Sequence, residues 1–288
     1  MNELMDLRQE PLVPVSSDCF FHLISPDTDV LILAVNLLQH KAETCKIDFM
    51  LITSKGSRKM SVNTIVNTIG KSHSKALLGA YVLTGNDHIG TFSGITKARC
   101  FKVFLDLNPS TESDILNSLA SLGTSDSLNS DQIKNLTKFV IQLYLSKRKD
   151  DKDKYAHIDD IGTLRWEFFS KKQTETENLP PTSGAIKHHL ERSNYVTMML
   201  KDATVEFEPT TPPIVPDHGW EVIDDKLMAI MTKELPAPEF SLDLTSCKCQ
   251  KTKCMTNRCC CFKHNLKCTD ACGCVDCSNE DDKFETID

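Results

Sequence analysis

The chain has 288 residues, 40% of them hydrophobic, thirteen cysteines and a formal net charge of −7. That length and apolar content suit one main globular domain with a small second one, and exclude a disordered or fibrous chain. The acidic balance excludes a global basic field, so any surface for nucleic acid has to be local.

The first apolar run is Cys19-Phe20-Phe21-His22-Leu23-Ile24, short and continuous like a buried parallel strand. Ser25-Pro26-Asp27-Thr28-Asp29 follows, and then Val30, Leu31, Leu33, Ala34, Leu37 and Leu38 keep helical spacing. Residues 46–53 read as a second strand, with a turn at Lys55-Gly56-Ser57. Ser61 can cap a helix through Ile69 that Gly70 would stop. A further helix is expected over 110–122, starting at Ser110 or Thr111 and stopped by Gly123, before a polar loop to Ser130. Ile133, Leu136, Val140, Leu143 and Tyr144 then share one helical face, and the charge run at 147–154 reads as a solvated linker. A helix is expected around His188 to Leu200, whose adjacent His188 and His189 point about 100° apart and so do not suit one metal. A proline-rich stretch at 209–216 leads through Gly219-Trp220 and Pro236-Ala237-Pro238-Glu239 to the cysteines.

Asp27 and Asp29 sit one residue apart at a strand's carboxyl edge, where open α/β sheets place ligands. Together with Leu83-Thr84-Gly85-Asn86-Asp87-His88 and Gly94-Ile95-Thr96-Lys97-Ala98, this stretch resembles part of the PIN-like nuclease core of the flap-endonuclease and XPG superfamily. The resemblance implies that Asp27, Asp29 and Asp87 hold Mg²⁺ or Mn²⁺, and that Gly94, Ile95 and Lys97 belong to a helical hairpin on the DNA backbone. Clustered carboxylates of this kind bind hard cations that activate water for phosphoryl transfer. The superfamily's first-strand aspartate and acidic helix have no counterpart before Phe20, which implies an incomplete catalytic core. The alternative is that Asp27 and Asp29 merely cap the following helix. The order L-R-W-E-F-F-S, L-P-P-T-S-G-A, G-W and P-A-P-E, ahead of the cysteines, resembles a set of animal proteins that look like descendants of mobile elements.

Ten cysteines fall between Cys247 and Cys277, in the order C-x-C-x4-C-x4-C-C-C-x6-C-x3-C-x-C-x2-C. The same window offers only Met255, Phe262, Leu266 and Val275 as sizeable apolar residues, so disulfides or metal must fold it. The opening MNELMDLRQEPLVPV lacks the pattern of a signal peptide, and residues 30–38, broken by Asn36, are too short to span a bilayer. An intracellular, reducing setting is therefore expected, and clustered thiolates there read as a zinc site.

Nine of the ten, Cys247, Cys249, Cys254, Cys259, Cys261, Cys268, Cys272, Cys274 and Cys277, have the spacing of the CXC (tesmin/TSO1-like, CRC) domain, which they resemble cysteine for cysteine. The resemblance implies three zinc ions on nine thiolates, a count that closes with six terminal and three bridging sulfurs; Cys260 is the spare. From Ser246 to Asn279 the formal charge is +4, which leaves −11 for the rest. Phosphate contacts are expected from Lys248, Lys251, Lys253 and Arg258. Arg258 stands where many CXC modules carry a tyrosine, and an arginine can enter a narrow minor groove or pair with guanine.

The expected fold class is α/β. A partial PIN-like (Rossmann-like) parallel-sheet core with its helical hairpin covers 1–108, a helical extension 109–155, an irregular and helical connecting region 156–245, a small irregular zinc-cluster domain 246–279, and an acidic tail 280–288. The leading function is zinc-dependent DNA binding in the nucleus by a catalytically incomplete nuclease derivative. A Mg²⁺- or Mn²⁺-dependent structure-specific nuclease and a non-enzymatic adaptor are the alternatives. DNA is the expected partner; no membrane or small-molecule substrate is expected.

Overall fold

The computed structural model describes residues 20–39, 45–146, 154–155, 157–170, 178–205, 218–235, 247–251, 253–263, 266–268 and 272–279. The opening segment, the charge run at 147–153, the proline-rich stretch at 209–216, residues 236–239 and the acidic tail lie outside them.

The chain begins with β1 (Phe20–Ser25), α1 (Asp29–Leu38), β2 (Lys46–Thr53) and β3 (Gly56–Ser61), forming a three-stranded sheet in the order β1-β2-β3. β1 runs parallel to β2, with Phe20 opposite Lys46 and Ser25 opposite Leu51. β3 folds back antiparallel, with Thr53 opposite Gly56 and Asp48 opposite Ser61. The sheet is thus mixed, a correction to the all-parallel core expected from the sequence. Gly-Ser-Arg-Lys-Met-Ser has no apolar alternation to announce a strand, because β3 is a largely exposed edge where charge is normal. The burial expected for β1 also fails: Phe20, Phe21 and Ile24 are 54%, 46% and 63% exposed. Among the described residues only one edge of β1 is paired, while α1 and α2 pack on β2. The buried strand is β2, whose Ile47 and Phe49 are fully enclosed.

Ser61 caps α2 (Val62–Leu83), its hydroxyl accepting from Thr64 N at 3.3 Å. Gly70 interrupts the helix where the sequence placed its stop. It takes φ 79° and ψ 166°, which kinks the axis, and the helix resumes to Leu83 because Ala76, Leu77, Ala80 and Leu83 continue a buried face. Glycine enters this left-handed region without Cβ strain.

Five helices and a two-stranded hairpin complete the described part of the main body. They are α3 (Lys97–Asp106), α4 (Ser113–Ser121), α5 (Ser130–Leu145), α6 (Ile161–Ser170) and α7 (Ser183–Val205), then a hairpin of β4 (Trp220–Ile223) and β5 (Lys226–Ala229). Asn129 and Gln132 form a reciprocal capping box at the start of α5, and Leu136, Val140 and Leu143 on its expected face are fully buried. α4 begins at Ser113, three residues after Ser110, and Gly123 follows its end at φ 72°. A Cβ at Gly123 would sit 2.4 Å from Met198 N, so α7 can pass this turn only over a glycine. L-R-W-E-F-F-S becomes α6, with Leu164 and Phe168 in the core. One apolar cluster runs from Ala34 to Leu190 and includes buried side chains of α1, α2, α3, α4, α5, α6 and α7.

α7 is fixed through its histidines. His188 pairs with Glu191 at 2.9 Å, while His189 donates from Nε2 to the Leu83 carbonyl at 2.8 Å and packs at a tilt against the Phe92 ring. Burial lowers the pKa of His189 to about 4; the Leu83 bond opposes that shift and the nearby Arg192 adds to it. Below pH 6.5 the unfolded chain therefore takes up a proton that the fold resists. This stability is complete above that pH and is lost as pH falls towards 4, by about 3 kcal/mol in all. His189→Gln, which keeps an N–H for Leu83, should flatten the helical unfolding free energy between pH 6.5 and 4. An unchanged pH profile in urea titrations would show that another group sets the acid sensitivity.

Candidate metal centre

The C-terminal segment has a sulfur interior. Cys247, Cys254, Cys259, Cys261 and Cys268 are buried, with Cys249, Cys260, Cys272, Cys274 and Cys277 packed around them. Three of the four apolar residues of the window face outward: Met255 and Val275 are more than half exposed, and Phe262 is 38% exposed. Apolar burial does not hold this unit together.

Backbone contacts bring distant cysteines to one place. Cys259 N donates to Thr256 O, opening the single turn α8 (Cys260–Lys263), which delivers Cys261 to the interior. Val275 N meets Cys249 O, Ser278 N meets Lys253 O, and Cys268 N meets Asn279 O, all at 2.9 Å. Lys253, Cys254 and Asp276 adopt φ of 48°, 59° and 57°. Left-handed conformations in non-glycine residues persist where surrounding bonds over-determine them.

The sulfur distances are compatible with metal ligation. Cys247–Cys254 and Cys247–Cys268 are 3.7 Å apart, Cys259–Cys268 3.9 Å and Cys261–Cys272 3.5 Å. A disulfide needs about 2.05 Å. A tetrahedral ion with Zn–S bonds of about 2.3 Å spaces its sulfurs at about 3.8 Å. The thiols thus lie at the edge length of a metal–thiolate tetrahedron. Three sets of four have their sulfurs within 4.8 Å of one another: Cys247, Cys249, Cys254, Cys259; Cys247, Cys261, Cys268, Cys272; and Cys247, Cys254, Cys268, Cys274. Cys247 belongs to all three sets, and Cys254 and Cys268 to two each, so the sets share sulfurs. Cys277 reaches Cys254 and Cys268, and Cys260 is in no set.

Burial, reinforced by neighbouring thiols, pushes Cys254 and Cys261 far above an ordinary thiol. Burial likewise raises Cys247 and Cys268. At Cys259 burial acts upward too, but the Phe262 N–H and the surrounding thiols bring it to about 7. A metal entering this set must displace protons, so its affinity rises with pH. Soft thiolates at tetrahedral spacing fit zinc, which would be held by the cysteines of these three sets together with the adjoining Cys277.

Lys248, Lys251, Lys253 and Arg258 are all exposed around the cluster. Lys253 lies 3.4 Å from Asp276, an exposed pair of small energetic weight.

The acidic residues of the N-terminal half are placed differently. Asp27 accepts the N–H of Asp29 at 2.9 Å and so shapes the entry to α1. Asp29 accepts from the Tyr81 hydroxyl, and Asp87 is exposed in the turn after α2. Burial first, then the bond to Asp29 and the charges of Asp27 and Asp87, raise the Tyr81 pKa well above its usual value. Asp29 thus bonds the phenol, and Asp27 and Asp87 act on it through their charge. Among the described residues, however, sets of three or more ligand atoms within 4.8 Å of one another are formed by cysteines alone. Lys97, read from the sequence as a DNA contact, is turned inward. Its Nζ donates to Tyr81 O at 2.5 Å, to Thr84 Oγ1 at 3.0 Å and to Gly85 O, and lies 4.0 Å from the Tyr81 ring centroid. With three protons and three acceptors it clamps the end of α2, and no proton is left for a phosphate. Burial lowers its pKa to about 8. Nothing in the sequence pattern singled out Tyr81, which sits inside an ordinary helical repeat.

Residues 244–281 match the family model described as Tesmin/TSO1-like CXC domain, cysteine-rich domain. A stretch of 51 residues is 41% identical to Protein tesmin/TSO1-like CXC 8 of Arabidopsis thaliana, covering 17% of this chain and 14% of that protein. The chain thus matches about one-seventh of that relative's length. No solved structure matches. The C-terminal segment is a tesmin/TSO1-like CXC domain.

Proposed function

We propose that this chain is a zinc-dependent DNA-binding protein whose CXC domain holds three zinc ions on nine cysteines and presents Lys248, Lys251, Lys253 and Arg258 to phosphate. The observation that carries the reading is the set of thiol separations at 3.5–3.9 Å with Cys247 common to three groups of four. Three tetrahedral ions on nine ligands need three sulfurs each shared by two ions, and Cys247, Cys254 and Cys268 are the three that recur among the groups, with Cys277 beside Cys254 and Cys268 as the ninth thiol. The basic side chains flank these ligands in sequence, so loading the cluster would fix their spacing. Arg258 is the residue of the four suited to a base edge or a narrow minor groove. A nuclear location follows from this reading.

The nuclease reading has less support, because Asp29 is engaged by Tyr81 and Asp27 by backbone. The adaptor reading draws on the β4–β5 hairpin, where Val222, Ile223, Leu227 and Met228 are about half exposed or more.

The test is anisotropy of a labelled DNA duplex with the full-length, zinc-loaded chain, repeated after chelation and after zinc is restored. Salt-sensitive binding that disappears on chelation and returns with zinc is expected. A zinc-loaded chain that leaves every duplex unshifted at low salt would remove the DNA reading and leave the adaptor.

A further inference from the structure

Asn279 lies two residues beyond the last cysteine and is 7% exposed. Its side-chain Nδ2 donates to Leu266 O at 2.8 Å and reaches Cys268 Sγ at 3.5 Å. Its backbone carbonyl accepts the Cys268 N–H at 2.9 Å. One residue thus grips Cys268 from both its amide and its sulfur, and ties the end of the Cys272–Cys277 segment to the chain entering Cys268. Cys268 is no ordinary member of the set: it belongs to two of the three groups of four. A sulfur shared by two cations carries more positive charge around it than a terminal one, and its orientation fixes two tetrahedra together.

We infer that Asn279 is a positioning residue of the metal cluster, its amide N–H aiming and polarising the Cys268 thiolate. The inference rests on the zinc reading above. An N–H directed at a thiolate sulfur withdraws electron density from it, and removal of such an outer partner commonly weakens metal binding about 10- to 100-fold. The Leu266 bond holds the amide plane, so the second N–H has one direction left.

Cobalt(II) reports this directly, because its thiolate charge-transfer band moves with the energy of the sulfur lone pairs. The full-length chain and its Asn279→Ala, Asn279→Asp and Asn279→Gln variants would be loaded with cobalt, scanned, and then challenged with a chelator. In Asn279→Ala the band should move to lower energy and the metal should be lost about 10- to 100-fold faster. Asn279→Asp has nearly the same shape and no amide N–H, and gives the same reading should the alanine variant not fold. Asn279→Gln should recover part of both effects, which a purely space-filling role would not do. Bands and release rates identical to the parent in both Asn279→Ala and Asn279→Asp would overturn the inference while leaving the zinc reading intact. A parent chain that shows no thiolate band would bring down both.

Discussion

Cys254→Ser is expected to release zinc and unfold residues 247–279 while the helical body stays folded. Cys254 is fully enclosed and belongs to two of the three groups of four. Losing its sulfur therefore removes bonds from two ions at once. Among the described residues little else holds the segment: Met255 and Val275 face outward, and the helix described there is a single turn. Structural zinc supplies about 10–16 kcal/mol in small domains of this kind, far more than a few exposed apolar side chains. Cys260→Ser is the matched control, since Cys260 belongs to no group and should leave the zinc content unchanged. Zinc release and thiol reactivity read the first effect, and the helical circular dichroism signal should be equal in both variants. Equal zinc content in Cys254→Ser and Cys260→Ser would mean that Cys254 is not a ligand.

The second large effect is electrostatic. Replacing Lys248, Lys251, Lys253 and Arg258 together by glutamine should abolish the salt dependence of duplex binding without changing the zinc content. Each phosphate neutralised contributes about −0.9 to the slope of log affinity against log salt. Four contacts then cost the parent about 100-fold between roughly 50 and 200 mM salt, whereas the quadruple variant starts weak and stays flat. Lys253 is expected to give less than its share, since Asp276 lies 3.4 Å from it. Among single variants Arg258→Gln should also change the preference between sequences, because arginine's rigid planar fork matches guanine O6 and N7 better than a lysine ammonium does. A quadruple variant with the parent's slope would place the phosphate contacts elsewhere.

What the sequence disclosed, and what it hid, follows from which forces leave a local trace. Cysteine spacing is a local record of ligand geometry, so the cysteines that gather in the sulfur interior could be named from the sequence. The helices of the body were legible where one face was apolar, as at Leu136, Val140 and Leu143, and their caps where a polar residue led the run, as at Ser61. β3 left no such trace because an exposed edge strand selects for charge rather than for alternation. Phe20 and Phe21 misled for the opposite reason: apolar composition does not state whether a partner element covers it. Lys97 was placed in a DNA-contacting hairpin by the PIN-like resemblance. Only tertiary structure shows three acceptors at the end of α2 waiting for it. Tyr81 and Asn279 were invisible because their roles depend on residues 52 and 11 positions away.

The most direct measurement is the mass of the intact, full-length chain under native conditions, followed by the mass after denaturation in acid. The account requires three zinc ions per chain in the native spectrum, and a denatured mass with every cysteine still carrying its hydrogen. A native mass without zinc, paired with a denatured mass reduced by about two daltons for each pair of cysteines, would show a disulfide-stapled segment and contradict it.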